Sequence, residues 1–218
     1  MMKYYQEITL LTGAEADLGF LWQKTYQQIH IALVEHGYPF EQANNYRGEV
    51  KLKKSKLAVS FPEYGGDEFP LGGKLRIFSE RRELLIQLDI QSILVRLLDY
   101  VHIFPIEETP AQVGYVCFKQ KRIKGASRTA SSLIKKAKHI SLKFDVDYER
   151  CLAELQTKNK FVEEKLPFIH VVSESSGKND QGGKHCFKLF IEKMNCDGLQ
   201  EGQYDCFGLS KTATVPWF

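Results

Sequence analysis

The side chains with the clearest chemistry in this sequence begin with a histidine inside a helical pattern. His30 lies roughly 100–120° from the centre of the apolar stripe of its predicted helix, beside Tyr26, so it flanks the core rather than filling it. Imidazole titrates near neutral pH and is suited to general-base catalysis. On the residues alone, a surface or packing role is the simpler interpretation of His30.

Hydroxyl groups and an aromatic ring follow further along the chain. Ser173 and Ser175 close a predicted strand, where hydroxyls and backbone N–H groups can bind phosphate or sugar oxygens. A plain polar turn explains the same residues equally well. Phe187 follows the polar, glycine-rich segment 176–184 and has the right chemistry to stack on a base, although a core position is the commoner role of phenylalanine.

The positive charge of the chain is concentrated in one segment. Residues 109–144 contain no Asp or Glu, whereas the whole chain has a net charge of only +3. This asymmetry favours a polyanionic partner, nucleic acid first and an anionic membrane second, with a solvated basic face as the alternative. The basic residues of the segment are Lys119, Lys121, Arg122, Lys124, Arg128, Lys135, Lys136, Lys138 and Lys143.

Motifs of several other kinds of site are missing from the sequence. It has no Walker loop, GxSxG elbow or HExxH motif, and its five cysteines include no CxxC pair. We therefore expect no metal site, no disulfide framework and no small-molecule cofactor. No apolar run approaches the ~18 residues of a membrane span. Residues 1–7 are polar and include an acid, so we expect no secretory signal and a cytoplasmic protein.

Strand and helix patterns alternate over the first hundred residues. Their order, β-α-β-β-α-β, is that of ferredoxin-like domains and of RNA-recognition sheets. We therefore predict an α+β protein whose N-terminal ferredoxin-like (RRM-like) domain occupies residues 1–105 and carries His30. Strands are predicted at 4–11, 57–61, 74–78 and 101–104, and helices at 17–36, capped by Asp17, and 83–98.

A linker at 105–110 is predicted to lead into a C-terminal region, 106–218, with a basic helix and short strands. Ser127 is expected to cap this helix, at about 127–140. One side of the helix is apolar and the other is basic and polar, so on RNA it would mainly hold phosphates. The apolar side carries Ala130, Leu133, Ile134, Ala137 and Ile140; the opposite side carries Arg128, Ser131, Ser132, Lys135 and His139, flanked by Lys136 and Lys138.

Three more strands and one insertion complete the predicted elements. The strands are expected at 168–173, 186–191 and 204–209, and residues 37–56 predict a long irregular insertion. Bulky apolar residues at 215–218 predict that this segment is docked on the protein.

Short motifs spread along the chain resemble those of one known family. Residues 207–211 (FGLSK) and 215–218 (VPWF) resemble the C-terminal end of the type I-F CRISPR repeat-processing endoribonucleases. Residues 58–62 (AVSFP) and 71–77 (LGGKLRI) resemble their second and third strands, 29–34 (IHIALV) their histidine-bearing helix, and 173–177 (SESSG) with 187–191 (FKLFI) their active-site strand and hairpin.

The resemblance implies a metal-independent RNase that cuts CRISPR precursor RNA at the base of each repeat stem-loop. His30 would act near the ribose 2′-OH, Ser173 would position that hydroxyl, and Ser175 would lie near the phosphate backbone. Gln120 would read a base, and Phe187 would stack at the base of the stem. The products would be a 2′,3′-cyclic phosphate and a 5′-hydroxyl, and the processed RNA would stay bound within a Cascade complex with other subunits.

The sequence departs from the family at positions that matter for activity. Phe207 stands where the family commonly has a tyrosine whose hydroxyl helps to hold the histidine, and Tyr26 is a possible substitute. Phe118 replaces an arginine, and the basic helix is mostly lysine, which lacks the bidentate fork of arginine. Two alternatives remain: a catalytically weak or inactive subunit that binds the RNA hairpin, and a ferredoxin-like regulatory module that binds an acidic protein or a membrane.

Overall fold

The structure, a computed structural model, describes residues 1–13, 15–39, 53–123, 126–158, 166–172 and 186–218. These residues form five α-helices and three antiparallel sheets, which confirms the predicted α+β class. They group into two compact units, one of Met1–Lys121 with Pro167–Phe218 and one of Arg122–Leu166. The predicted division into 1–105 and 106–218 stays a prediction; contacts in the structure group the chain differently.

The elements follow one another in this order. The strands are β1 (Tyr4–Leu10), β2 (Tyr38–Pro39), β3 (Lys53–Ser55), β4 (Ala58–Ser60), β5 (Lys74–Ser79), β6 (Val101–Ile103), β7 (Glu107–Glu108), β8 (Gly114–Lys121), β9 (Phe168–Val172), β10 (Cys186–Cys196), β11 (Tyr204–Asp205) and β12 (Val215–Trp217). The helices are α1 (Leu18–Glu35), α2 (Arg82–Leu88), α3 (Ile90–Ile93), α4 (Ala126–Phe144) and α5 (Tyr148–Lys158), and a 3₁₀ helix spans Val95–Tyr100.

The first sheet has the order β4-β5-β1-β6, with β7 paired to one end of β1. Ile8 lies opposite Leu75 on one side and Ile103 on the other, and all pairs are antiparallel. Ile8 and Leu75 are fully buried, as expected for the central strands of a sheet that is covered on one face. The four strands predicted in the first hundred residues are present.

Helix α1 begins and packs as its sequence predicts. The side chain of Asp17 accepts a hydrogen bond from the Phe20 N–H (2.8 Å), which satisfies one of the free N–H groups of the first turn. One face of the helix is buried, and the indole N–H of Trp22 donates to the Gly72 carbonyl (2.8 Å). The buried residues are Leu21, Trp22, Thr25, Tyr26, Ile29, Ala32 and Leu33.

The second sheet has the order β12-β8-β10-β9, and a small third sheet has the order β11-β3-β2. Val215 of β12 lies opposite Val116 of β8, so the predicted docking of residues 215–218 is confirmed. The first two sheets share one hydrophobic core, in which the rings of Phe61 and Phe118 meet with centroids 5.2 Å apart.

The predicted single helix at 83–98 is wrong. The chain forms α2, α3 and the 3₁₀ helix instead, because Asp89 adopts a left-handed conformation (φ 47°) that ends α2. The Asp89 side chain then accepts a hydrogen bond from the Ser92 N–H (3.4 Å) and so caps α3. Aspartate is one of the few residues that tolerate this conformation.

The predicted linker at 105–110 is also wrong. Glu107 and Glu108 form β7 and pair with Tyr5 and Tyr4, and the Tyr5 hydroxyl donates to the Glu107 carboxylate (2.7 Å). The segment therefore extends the first sheet.

Several predicted boundaries in the second half of the chain need correction. Ser127 lies inside α4 and is not its cap, because the helix already begins at Ala126. The predicted strand at 204–209 is reduced to Tyr204–Asp205, after which the chain turns. Strand β8 and helix α5 were not predicted, and residues 38–39 and 53–55 of the predicted irregular insertion form strands β2 and β3. Residues 40–52 lie outside the described part of the chain.

In the described residues of the second compact unit, two helices are present, α4 and α5. Helix α4 packs along α5, and Ala137 of α4 and Cys151 of α5 are buried. The apolar side of α4 is narrower than predicted, because Ala130 is exposed and the Ile134 side chain is 40% exposed. Leu133, Ala137 and Ile140 make up the buried or half-buried side.

In the part of the chain that the structure describes, none of the helices combines the length and apolarity that crossing a bilayer requires.

Candidate active site

The His30 imidazole is held by one backbone carbonyl. Its Nδ1 lies 2.8 Å from the carbonyl oxygen of Cys206. A carbonyl oxygen can only accept a hydrogen bond, so Nδ1 carries the proton and donates it. In the neutral ring, Nε2 therefore keeps its lone pair and is the nitrogen that can take up a proton. This tautomer presents His30 as a base.

The surroundings of His30 favour its neutral form. Burial lowers the pKa of His30 below the usual 6.5, and the bond to the Cys206 carbonyl offsets part of this effect. The ring is therefore uncharged at neutral pH, which is the form that a general base requires.

The Phe207 ring packs against two other aromatic rings. It stacks on the imidazole of His30, with centroids 4.1 Å apart and planes 14° apart. Phe187 packs edge-on against Phe207, with centroids 6.3 Å apart and planes at 80°. Phe187 is half-buried, so one part of its ring remains accessible.

A tight turn over residues 205–209 carries both groups that touch His30. The Asp205 carboxylate accepts hydrogen bonds from the N–H groups of Phe207 (2.8 Å) and Leu209 (3.0 Å). Gly208 has a φ of 72°, and a Cβ at this position would come within 2.5 Å of the Val59 side chain. Glycine is thus required at residue 208 for the turn that presents the Cys206 carbonyl and the Phe207 ring.

Tyr26 supports this turn and does not touch the imidazole by a hydrogen bond. Its hydroxyl donates to the Phe207 carbonyl (2.8 Å), and burial keeps its pKa well above the ordinary value, so the hydroxyl stays protonated. The idea that Tyr26 replaces the family's tyrosine in holding the histidine directly is therefore wrong, since its bond goes to the backbone of Phe207.

Ser173 and Ser175 lie outside the described residues, as does Lys124. The strand that leads to Ser173 is described up to Val172 and packs along α1, the helix that carries His30. The structure therefore brings His30, Phe187 and the end of β9 into one compact unit.

Two of the predicted RNA-binding residues on β8 form ion pairs within the protein. Lys119 and Lys121 form ion pairs with the carboxylate of Glu192 on β10, at 2.9 Å and 3.1 Å. The two ammonium groups lower the pKa of Glu192, so its carboxyl group is ionised at neutral pH. Gln120 is half-buried and Arg122 is exposed. Phe118 is a core residue, 2% exposed, and presents no polar group to a ligand.

The predicted contacts on α4 are nearly all solvent-exposed. Ser131, Lys135, Lys136, Lys138 and His139 are exposed, and Arg128 belongs to the first turns of the helix. Because these positions lie in the other compact unit from His30, they form a separate group of candidates. Their charge fits a phosphate backbone.

Asp205, an important residue of this site, was not identified by the sequence analysis, although a signal for it was present. Aspartate followed three residues later by glycine is a typical type I turn pattern, and the Gly208 N–H does donate to the Asp205 carbonyl (3.0 Å).

Comparison with known proteins places these features in a family. The family model "CRISPR-associated protein (Cas_Csy4)" matches residues 5–218. The chain belongs to the Csy4 family of CRISPR-associated proteins. It is 26% identical over 220 residues to the "CRISPR-associated endonuclease Cas6/Csy4" of Escherichia coli (strain UTI89 / UPEC), with 100% of both chains covered. It is 24% identical over 228 residues to the protein of the same name in Pseudomonas aeruginosa (strain UCBPP-PA14), again with 100% of both covered.

The Csy4 match confirms the family predicted from the short motifs, and with it the predicted class of enzyme. Both relatives are named endonucleases. The match includes the segments 29–34, 207–211 and 215–218, on which the resemblance rested.

Proposed function

We propose that this member of the Csy4 family is an endoribonuclease that cuts CRISPR repeat RNA at the base of its stem-loop without a metal ion. The observation that carries the proposal is the hydrogen bond from His30 Nδ1 to the Cys206 carbonyl, because it leaves Nε2 as a proton acceptor. A ribose 2′-OH next to the scissile phosphate is the substrate group that such a base would serve.

The chemistry proceeds by attack within the RNA chain. His30 Nε2 takes the proton of the 2′-OH, the 2′-oxygen bonds to the adjacent phosphorus, and the bond from phosphorus to the 5′-oxygen breaks. The 5′-oxygen takes up a proton and leaves as a hydroxyl, and the other product ends in a 2′,3′-cyclic phosphate. Ser173 would position the 2′-OH, and Ser175 would contact the phosphate backbone, as the family resemblance implies.

The remaining predicted residues would hold the stem-loop. Phe187 would stack on the last base pair of the stem, supported by its edge-on packing against Phe207. Gln120 would read one base, and the lysines would neutralise phosphates. The proposed RNA contacts are Lys119, Gln120, Lys121, Arg122, Lys124, Arg128, Ser131, Lys135, Lys136, Lys138, His139, Ser175 and Phe187.

The finer fold and the partners belong to the same proposal. The strand order β4-β5-β1-β6 supports a ferredoxin-like arrangement of the first sheet, because the first of its four strands lies between the third and the fourth. The protein would act in the cytoplasm, keep its product and join the other subunits of a type I-F Cascade complex.

A cleavage assay in EDTA tests the proposal. Wild-type protein is expected to give a single cut in the repeat hairpin, and His30→Ala is expected to bind the hairpin but not cut it. His36→Ala is the matched control, because His36 is an exposed histidine just after the same helix. RNA with 2′-deoxyribose before the cut should resist the wild-type enzyme. Cleavage by His30→Ala at the wild-type rate would show that the assignment is wrong.

A non-cleaving subunit that holds the RNA hairpin is the second candidate function. It is favoured by Phe207, whose ring stacks on His30 without a hydroxyl that could bond to the imidazole or to substrate. If wild-type protein binds the hairpin tightly but does not cut it, this candidate holds. Phe207→Tyr is then the first variant in which cleavage should appear.

A further inference from the structure

A side-chain amide on α1 is hydrogen-bonded to the backbone of the strand that leads to Ser173. The Gln27 Nε2 donates to the Val172 carbonyl (3.1 Å), and the Val172 N–H donates to the Gln27 Oε1 (2.8 Å). A primary amide has the same donor and acceptor as a peptide group, so Gln27 pairs with Val172 as a neighbouring strand would.

The position of Val172 in the sheet explains why this pairing is possible. Among the described residues, β9 is the last strand in the order β12-β8-β10-β9, and Val172 lies opposite Cys186 of β10. The N–H and C=O groups that Val172 offers to Gln27 are therefore those on the side of β9 that faces away from β10. Without Gln27, these two half-buried groups would lose their partners.

Gln27 and His30 lie three residues apart on α1, which places them on neighbouring positions of one helix face. Val172 is the residue directly before Ser173 in the chain. One turn of α1 therefore carries both the base, His30, and the side chain that binds the end of β9.

We propose that Gln27 is a positioning residue that sets the spacing between His30 and the end of β9, from which the chain continues directly to Ser173. The inference rests on the proposed function, because it matters only if His30 and Ser173 act on the same 2′-OH. In-line attack depends on sub-ångström placement of the reacting groups, so a small displacement of the strand costs far more in rate than in binding.

Two variants separate the hydrogen bonds of Gln27 from its bulk. Gln27→Met keeps a side chain of similar length and removes both bonds. Gln27→Glu keeps an acceptor for the Val172 N–H but places a second acceptor against the Val172 carbonyl. Gln28→Ala is the matched control, because Gln28 is the next residue of the same type and its side chain is exposed.

The measurement is single-turnover cleavage of the repeat hairpin at saturating protein, beside the hairpin Kd, the Tm and the pH profile. We expect Gln27→Met to cut roughly 10- to 100-fold more slowly than Gln28→Ala, with Kd within about threefold of wild type. The acidic limb of its pH profile should not move, because the bond between His30 and Cys206 is untouched. Gln27→Glu, as a second folded variant, should also lose rate.

The inference is overturned if Gln27→Met and Gln27→Glu are folded and both cut at the rate of Gln28→Ala. It is also overturned if the loss of cleavage rate in these variants is matched by an equal loss of affinity for the hairpin. His30→Ala keeps this failure distinct from that of the proposed function. Full activity of His30→Ala refutes the proposed function, whereas inactive His30→Ala with fully active Gln27 variants refutes only the positioning role.

Discussion

The acid–base behaviour of His30 follows from its burial and from its bond to Cys206. Burial disfavours the imidazolium form and lowers the pKa of His30 below 6.5. The base form is therefore present at pH 7 and is lost as the pH falls through the lowered pKa. We expect the acidic limb of kcat/KM, which reports the free enzyme, to have its midpoint below pH 6.5. A midpoint above 6.5 in the profile from pH 4.5 to 8 would contradict this.

Asp205 gives the turn its shape at a cost in stability at neutral pH. Burial raises the pKa of its carboxyl to about 6, although the N–H groups of Phe207 and Leu209 act in the opposite direction. A raised carboxyl pKa means that the stability contributed by Asp205 is complete below the unfolded pKa near 3.8 and is lost as the pH rises through about 6.

Asp205→Asn should become more stable relative to wild type as the pH rises. Asparagine keeps the oxygen that accepts both N–H groups but cannot ionise. The difference in the free energy of unfolding should shift in favour of the variant by on the order of 2–3 kcal/mol between pH 4 and pH 7. Urea unfolding of both proteins across this range checks the shift, and a difference that does not change with pH would contradict it.

At the scale of elements, the sequence predicted those structural features that depend on interactions within a single helix or strand. The cap and the buried face of α1 were predicted because Asp17 and the apolar residues act within one helix. The break at Asp89 was missed because helical spacing of Leu and Ile continues through it, while the left-handed backbone shows only in the structure. Apolar spacing does not reveal where a helix ends.

The residues of the candidate site also divide into those that the sequence reveals and those that only the structure reveals. His30, Ser173 and Phe187 were singled out as candidates from their residue types and their places in the predicted elements, and the resemblance assigned their roles. Gln27 and the Cys206 carbonyl were not found, because their hydrogen bonds join α1 to segments 145 and 176 residues away in sequence. A backbone acceptor has no signature in the side-chain sequence.

The basic side of α4 should dominate the salt dependence of RNA binding. Lys135 and Lys136 are exposed on α4, whereas Lys119 already pairs with Glu192. Each phosphate contact contributes about 0.7–0.9 to the slope of log K against log salt concentration. Replacing Lys135 and Lys136 with alanine should therefore lower the slope by roughly 1.4–1.8.

The control for this measurement is Lys158→Ala, an exposed lysine of α5 in the same compact unit. Its slope should equal that of wild type. An unchanged slope in the Lys135 and Lys136 variant would mean that other residues hold the phosphates. Lys119→Ala should lower the slope by less than the roughly 0.7–0.9 of one phosphate contact. The reason is that Lys119 already pairs with Glu192, which would then pair with Lys121 alone.

At the scale of the whole molecule, the charge and the core belong to different parts of the chain. The net charge is only +3, yet residues 109–144 contain no acid. All three sheets lie in the unit formed by Met1–Lys121 and Pro167–Phe218, whereas α4 belongs to the other unit. Lysines on α4 can therefore be substituted without removing any side chain from the core of the main unit. RNA binding and folding can thus be tested separately.

The main unit is held together across its two large sheets by the segment 215–218. β12 pairs with β8 of the second sheet, while the Phe218 ring packs edge-on against Tyr5 of the first sheet, with centroids 5.2 Å apart. The Arg76 guanidinium lies 4.1 Å from the centre of the Phe218 ring and also pairs with Glu7 (2.6 Å). Phe218 thus joins the second sheet to the first.

Phe218→Ala should consequently destabilise both sheets together, by about 2 kcal/mol, because the partly buried ring is lost from the contact between them. The two tryptophans of the chain provide one reporter on each side, Trp22 on α1 and Trp217 on β12. Phe218→Ala is introduced into two variants, one with Trp22 and one with Trp217 as its single tryptophan. In urea unfolding followed by fluorescence, both should show the same loss in the free energy of unfolding. A loss seen by Trp217 alone would mean that the segment frays locally and that the two sheets unfold independently. Phe144→Ala, at a ring that is 63% exposed in the other unit, should leave both midpoints nearly unchanged.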